Sequence, residues 1–198
     1  MPEMIAAHIT IGGQARNDLV ADLCALIAQE DLALDWDGKQ FSPRTAKELL
    51  AARQTEGMRI QLFADAASWG QFELLEQFLI EHQIPFDRHH DAKYEIASTT
   101  LFYRPEFGCQ EYLTDANEKV VCPARPLRGL ATSLKQVREQ LRGGEIAAAE
   151  QLIAACIDQL DAHMPTEVPP LPPLEITGLT ADNLSSCPEP EPTGLQWP

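Results

Sequence analysis

Long apolar runs, basic residues and closely spaced cysteines are all scarce in this sequence. Its uninterrupted apolar stretches are far too short to cross a bilayer, so membrane insertion is not expected. Lys and Arg number 15 against 30 Asp and Glu, a formal charge of −15, and an extended polyanion would be repelled by most of such a surface. Direct nucleic-acid binding is therefore disfavoured for the chain as a whole. The five cysteines, Cys24, Cys109, Cys122, Cys156 and Cys187, are an odd set without the spacing of a disulfide framework, and no CxxC pair is present to hold structural zinc. Reduced thiols are expected. No basic segment precedes the first apolar stretch, where Glu3 stands instead, which excludes a typical secretory leader and predicts a cytoplasmic protein. GxGxxG and the Lys-Ser/Thr of a P-loop are also missing, so no cofactor is expected.

What the chain does have is a pattern that occurs twice: a short apolar strand, a glycine-bearing turn, an amphipathic helix and a second strand. It runs from Ile9 to Trp36 and again from Ile60 to Phe86. In the first unit Ile9 and Ile11 alternate, Gly12 and Gly13 turn the chain, and Asn17 or Asp18 is placed to cap a helix. That helix has an apolar face of Leu19, Val20, Leu23, Cys24, Leu26 and Ile27. Leu32, Leu34 and Trp36 then alternate as a half-buried strand that ends at Asp37-Gly38. A short helix opening at Ser42-Pro43 and ending at Gly57 connects the units. The second unit uses Ile60, Leu62 and Phe63 as strand, Ser68 as cap, and Trp69, Phe72, Leu75, Phe78 and Leu79 as buried helix face before Ile84 and Phe86.

Hairpin strands are expected at Lys93 to Ala97, Leu101 to Arg104, Cys109 to Leu113 and Lys119 to Cys122. Leu127, Leu130, Leu134, Val137 and Leu141 then recur at helical spacing. Gly143-Gly144 interrupts, and Ile146, Ala149, Leu152, Ile153, Cys156, Ile157 and Leu160 repeat the pattern, which predicts two antiparallel helices. The proline-rich stretch from Pro165 is stiff and extended, suited to strap the surface through Val168, Leu171, Leu174 and Ile176. Beyond Gly178 the composition reads as disorder or as a segment ordered by a partner. The fold class is thus α+β, a ferredoxin-like double βαβ sheet with helices on one face, extended by antiparallel strands and a C-terminal helical hairpin. Residues 1–126 form the α+β domain, 127–164 the helical hairpin packed on it, and 165–198 a Pro-rich acidic tail.

Four groups of residues are candidates for function. Asp87-Arg88-His89-His90-Asp91 is the densest titratable stretch. His89, His90 and Asp91, with Asp87, would serve a small metal-dependent hydrolase, although adjacent strand residues point to opposite faces. Gly12-Gly13 sits where backbone amides hold phosphate, with a positive-φ turn as the plainer reading. Arg128, Lys135, Arg138 and Arg142 line one side of a helix, a concentrated basic stripe able to receive an anionic partner, RNA or the chain's own acidic tail. Glu73, Glu76 and Glu81, with Asp18, Asp22, Glu30 and Asp31 of the first helix, would form a carboxylate-rich surface that imitates a phosphate backbone. The favoured function is a non-enzymatic, acidic protein-interaction module. It would bind another protein, one form being an inhibitor that mimics nucleic acid toward a nucleic-acid-binding partner.

Overall fold

The computed structural model describes residues 2–122, 124–163 and 165–179. Alternation shapes the first strand, β1 (Met4–Ile11), which sends Ala7, Ile9 and Ile11 into the main apolar cluster and His8 and Thr10 to the opposite face. A three-residue strand, β2 (Gln14–Arg16), leads through a 3-10 turn at Asn17–Leu19 into α1 (Val20–Gln29), whose inner face is Val20, Leu23, Cys24 and Ile27. Neither Asn17 nor Asp18 caps this helix; the carboxylate of Asp18 lies 3.0 Å from Arg16 instead.

The strand expected from Leu32 to Trp36 is not formed. Ala33 alone bridges, to Phe63 and Gln40, while Leu34 and Trp36 are exposed. The backbone explains it: Asp31 and Asp37 both hold positive φ, and the amide of Gly38 donates to the carbonyl of Asp35, so the chain bends before extended structure can propagate. α2 (Ala46–Ala51) begins after Pro43, capped by the Thr45 hydroxyl, which accepts from the Glu48 amide.

β3 (Ile60–Ser68) runs through Ser68, which closes the strand, and the next helix has Phe72 at its N-cap with no side-chain cap. α3 (Glu73–Glu81) buries Leu75 and Leu79, with Phe72 buried just ahead of it. Trp69, expected on the buried helix face, lies in the preceding turn at positive φ and is half exposed. β4 (Phe86–His90), β5 (Thr99–Arg104) and β6 (Gly108–Leu113) follow. The expected strands at Lys93 to Ala97 and Lys119 to Cys122 shrink to single bridges, Lys93 with Ile96 and Thr114 with Val120, because Tyr94 and Glu118 turn the chain at positive φ.

The result is α+β, with five strands in the order β3-β1-β4-β5-β6, every neighbouring pair antiparallel. Because β1 opposes both β3 and β4, those two run in the same direction with β1 between them. α1, α2 and α3 all contribute to one apolar cluster with Ile9, Ile11, Ile60, Leu62 and Phe86. The proline-rich segment lies outside the five-stranded sheet. Leu171 and Leu174 are buried, and β7 (Glu175–Thr177) pairs in parallel with β2. Only glycine fits where this segment crosses Gly12, since a Cβ there would meet the Pro172 carbonyl oxygen at 2.1 Å.

α4 (Ala124–Gly143) and α5 (Ile146–His163), joined by Gly144 at positive φ and Glu145, pack on each other and bury Val137, Ala149 and Cys156. Among the described residues no helix is long and apolar enough to cross a membrane. The expectation of disorder or partner-induced order beyond Gly178 concerns residues that, from 180 on, lie outside the described ones.

Candidate docking surfaces

The acidic helix side is thinner than its sequence suggests, because two of its carboxylates serve the fold. Glu76 turns inward: its Oε1 lies 3.2 Å from Nε of Arg88, a residue only 1% exposed, and accepts the Phe72 amide at 2.8 Å. Burial raises the Glu76 carboxyl above its ordinary range, with Arg88 and the Phe72 amide opposing the rise. Glu30 accepts the amides of Leu74 and Leu75 at the start of α3, so its charge complements the free N–H groups and positive dipole end there. Burial raises this carboxyl too. Glu73 and Glu81 remain exposed on α3, as do Asp22 and Asp31 around α1.

Asp87 to His90 lie on β4, with Asp91 just beyond it, and strand alternation divides them. Arg88 and His90 point to the helix side; Asp87 and His89 point to the other face. Arg88 bridges Glu76 and Glu111, the latter at 3.2 Å, and donates to the Gly70 carbonyl at 2.9 Å. His90 meets the Thr99 hydroxyl at 2.9 Å and the Asp91 carbonyl at 3.0 Å, and its side chain packs so closely on Gly70 that a Cβ added there would lie 2.5 Å from the His90 Cβ. On the far side, Asp87 accepts from Arg104 at 2.7 Å, and burial raises its carboxyl while Arg104 works against the shift.

His89 pairs with Thr100 at 2.9 Å and stands 3.5 Å from Asp91. Its neighbour across the ladder is His8, a residue sequence reasoning passed over. The two rings lie 5.2 Å apart, with Phe63 and Trp36 completing an aromatic group around His8. Burial pushes the His8 pKa down, against the pull of Glu118 at 3.6 Å. The signal was present in the alternation of β1, which places residue 8 opposite residues 9 and 11. Seen alone, however, a histidine in an apolar strand gives no sign of its partners across the sheet. His89 and His90 do not converge, and among the described residues no group of three His, Cys, Asp or Glu is arranged to hold a metal ion.

The glycine turn is closed to anions, since the Gly12 amide donates to the Pro85 carbonyl and the Gly13 amide to the Pro172 carbonyl. Cys24 is buried and its thiol is pushed up to about 11 by burial, with Glu48 adding to the rise, which makes it a poor nucleophile. Cys109 is exposed on β6.

The helices α4 and α5 are different in kind. Arg128, Lys135, Arg138 and Arg142 all stand in solvent on α4, the last two beside Glu139. Next to this basic stripe runs an uncovered aliphatic one. Leu127, Leu134 and Leu141, seven residues apart, are 49 to 52% exposed, and Ile146, Ile153 and Ile157 on α5 are 39 to 62% exposed. Isolated exposed aliphatics are commonplace; here six lie on two adjoining helices. Comparison with protein-family models, curated proteins and solved structures finds no match to this chain.

Proposed function

We propose that this protein is a non-enzymatic interaction module that docks on a protein partner through an αα-hairpin formed by α4 and α5. The carrying observation is the aliphatic stripe on those helices, half exposed and flanked by bases on α4. Its residues recur every seven positions on α4 and after seven and then four on α5, the heptad-type spacing by which helices pack against further helices. The state of the candidate metal-site groups supports the same reading: Asp87 is held by Arg104, His89 by the Thr100 hydroxyl, and His90 by the Thr99 hydroxyl and the Asp91 carbonyl. The narrower idea of a nucleic-acid mimic on α1 and α3 has less to rest on, since Glu76 is taken up by Arg88 and the Phe72 amide and Glu30 by the start of α3. We read the body that carries the hairpin as a ferredoxin-like layer whose second strand has dwindled to the bridge at Ala33, beside β3.

The test is affinity capture from the native host with the wild-type chain and with a Leu134→Glu/Ile153→Glu variant, both checked for unchanged helical circular dichroism. Proteins held by the wild type, its own copies included, are expected to be lost from the variant. The same set retained by both baits would contradict the reading.

A further inference from the structure

The charge on the two helices of the hairpin is strongly unequal. α4 carries Arg125, Arg128, Lys135, Arg138 and Arg142 against the single acid Glu139; α5 carries Glu150, Asp158 and Asp161 with no Lys or Arg. In α4 the buried Val137 lies between exposed Leu134 and Leu141, three positions before and four after. In α5 the buried Ala149 lies between exposed Ile146 and Ile153 at the same offsets. Equal offsets in two antiparallel helices place both aliphatic stripes on the same face of the hairpin, because reversing a helix mirrors its sense of rotation. That face is therefore apolar along its middle, basic along its α4 edge and acidic along its α5 edge.

Resting on the proposed docking role of this hairpin, we infer that the partner is a second copy of this chain, and that two hairpins close into a four-helix bundle about a two-fold axis parallel to the helices. That axis sets the circular order α4, α5, then α4 and α5 of the second copy. Each helix then has only antiparallel neighbours of opposite charge, and basic and acidic edges meet on both sides. A two-fold axis across the helices would instead lay α4 on α4, with bases facing bases. The size fits as well. Helices of 20 and 18 residues give a face roughly 30 Å long and roughly 20 Å wide, so two copies bury on the order of 1,000 Å2 or more, the threshold for a specific interface. Leu127, Leu134 and Leu141 repeat at the heptad interval that lets knobs of one helix enter holes of the next.

Sedimentation of the full chain across a concentration series, at low and high salt, provides the first test. The wild type is expected to reach twice its 21.9 kDa mass, and Leu134→Glu/Ile153→Glu to stay at the single mass with unchanged helicity. The arrangement itself is tested with a charge-swapped chain carrying Arg128→Glu, Lys135→Glu, Arg142→Glu, Glu150→Lys, Asp158→Lys and Asp161→Lys, which keeps opposite charges within each hairpin. This chain is expected to self-associate like the wild type but not to exchange subunits with it. Free exchange between the two would overturn the proposed order of helices. A wild type that stays monomeric at about 100 µM would overturn self-association. If such a monomer dimerises once residues 180–198 are removed, the tail is the occupant and the proposal also fails. A monomer whose host partners are still lost on Leu134→Glu/Ile153→Glu refutes this inference while leaving the docking role standing.

Discussion

Arg88→Met isolates the charge network beneath α3. The substitution keeps most of the aliphatic stem of a side chain that is 1% exposed, and removes the cation held between Glu76 and Glu111. Breaking a buried pair by deleting one partner costs about 3 to 5 kcal/mol, since the remaining charge is left without compensation. Glu76 keeps the Phe72 amide, and Glu111 is half exposed, so the lower end, about 3 kcal/mol, is expected. For a chain of this length that corresponds to a fall in Tm of about 6 to 12 °C.

The pH dependence follows from the same pair. Burial already holds the Glu76 carboxyl above its ordinary value of 4.5, and without Arg88 it rises further. An acid whose folded pKa lies above its unfolded one binds its proton more tightly when folded, so stability falls as pH rises between those two values. The Arg88→Met deficit is therefore largest at neutral pH and shrinks toward pH 4.5, and adding Glu76→Gln, which removes the stranded charge, recovers most of it. Urea unfolding of the wild type, the single and the double variant at two pH values measures all three effects. A deficit below about 1 kcal/mol, or one indifferent to pH and to Glu76→Gln, would refute the reasoning.

Gly12→Ala drives a Cβ onto the Pro172 carbonyl and is expected to cost about 1 to 3 kcal/mol, with faster proteolysis between residues 165 and 177; equal cleavage rates would contradict the close approach. His8 is buried with its pKa lowered, so the unfolded chain takes up a proton first as pH falls below 6.5. Stability is then lost by up to about 1.4 kcal/mol per pH unit until the folded value is reached. His8→Gln should remove this part of the slope in urea midpoints between pH 7.5 and 5.5, and an unchanged slope would show that His8 is not its source. A thiol reagent at neutral pH is expected to modify exposed Cys109 while sparing Cys24 until the chain unfolds; early loss of the Cys24 thiol, read by peptide mass, would contradict the packing of α1.

Periodicity made the helices and the inner strands legible. Leu23, Ile27, Leu75 and Leu79 recur at helical spacing, Ile9 and Ile11 alternate, and each of these residues is buried in the fold. Strand partners were not legible in the same way, because the antiparallel insertion of β1 between β3 and β4 depends on contacts distant in sequence. The missed strands share a local cause. Asp31, Asp37, Tyr94 and Glu118 adopt positive φ, which a non-glycine residue does not announce in the sequence. At the charged candidates, residue type was readable but direction was not. Glu76 has the spacing of a surface acid until Arg88 arrives from β4, and Glu30 is explained only by the amides of a helix that begins 43 residues later. On α4 and α5 the aliphatic spacing was read correctly as helical; that half of those residues would remain uncovered required coordinates.

The central claim is that the aliphatic face of α4 and α5 is the surface with which this protein docks. Its most direct test is radical footprinting with peptide mass spectrometry, comparing dilute purified chain with the chain in an extract of its native host. The account predicts that Leu134, Leu141, Ile153 and Ile157 are oxidised in the dilute chain and shielded in the extract, while Trp69 and Tyr94, exposed elsewhere, react alike in both. Equal oxidation of the aliphatic face in the two samples would contradict it.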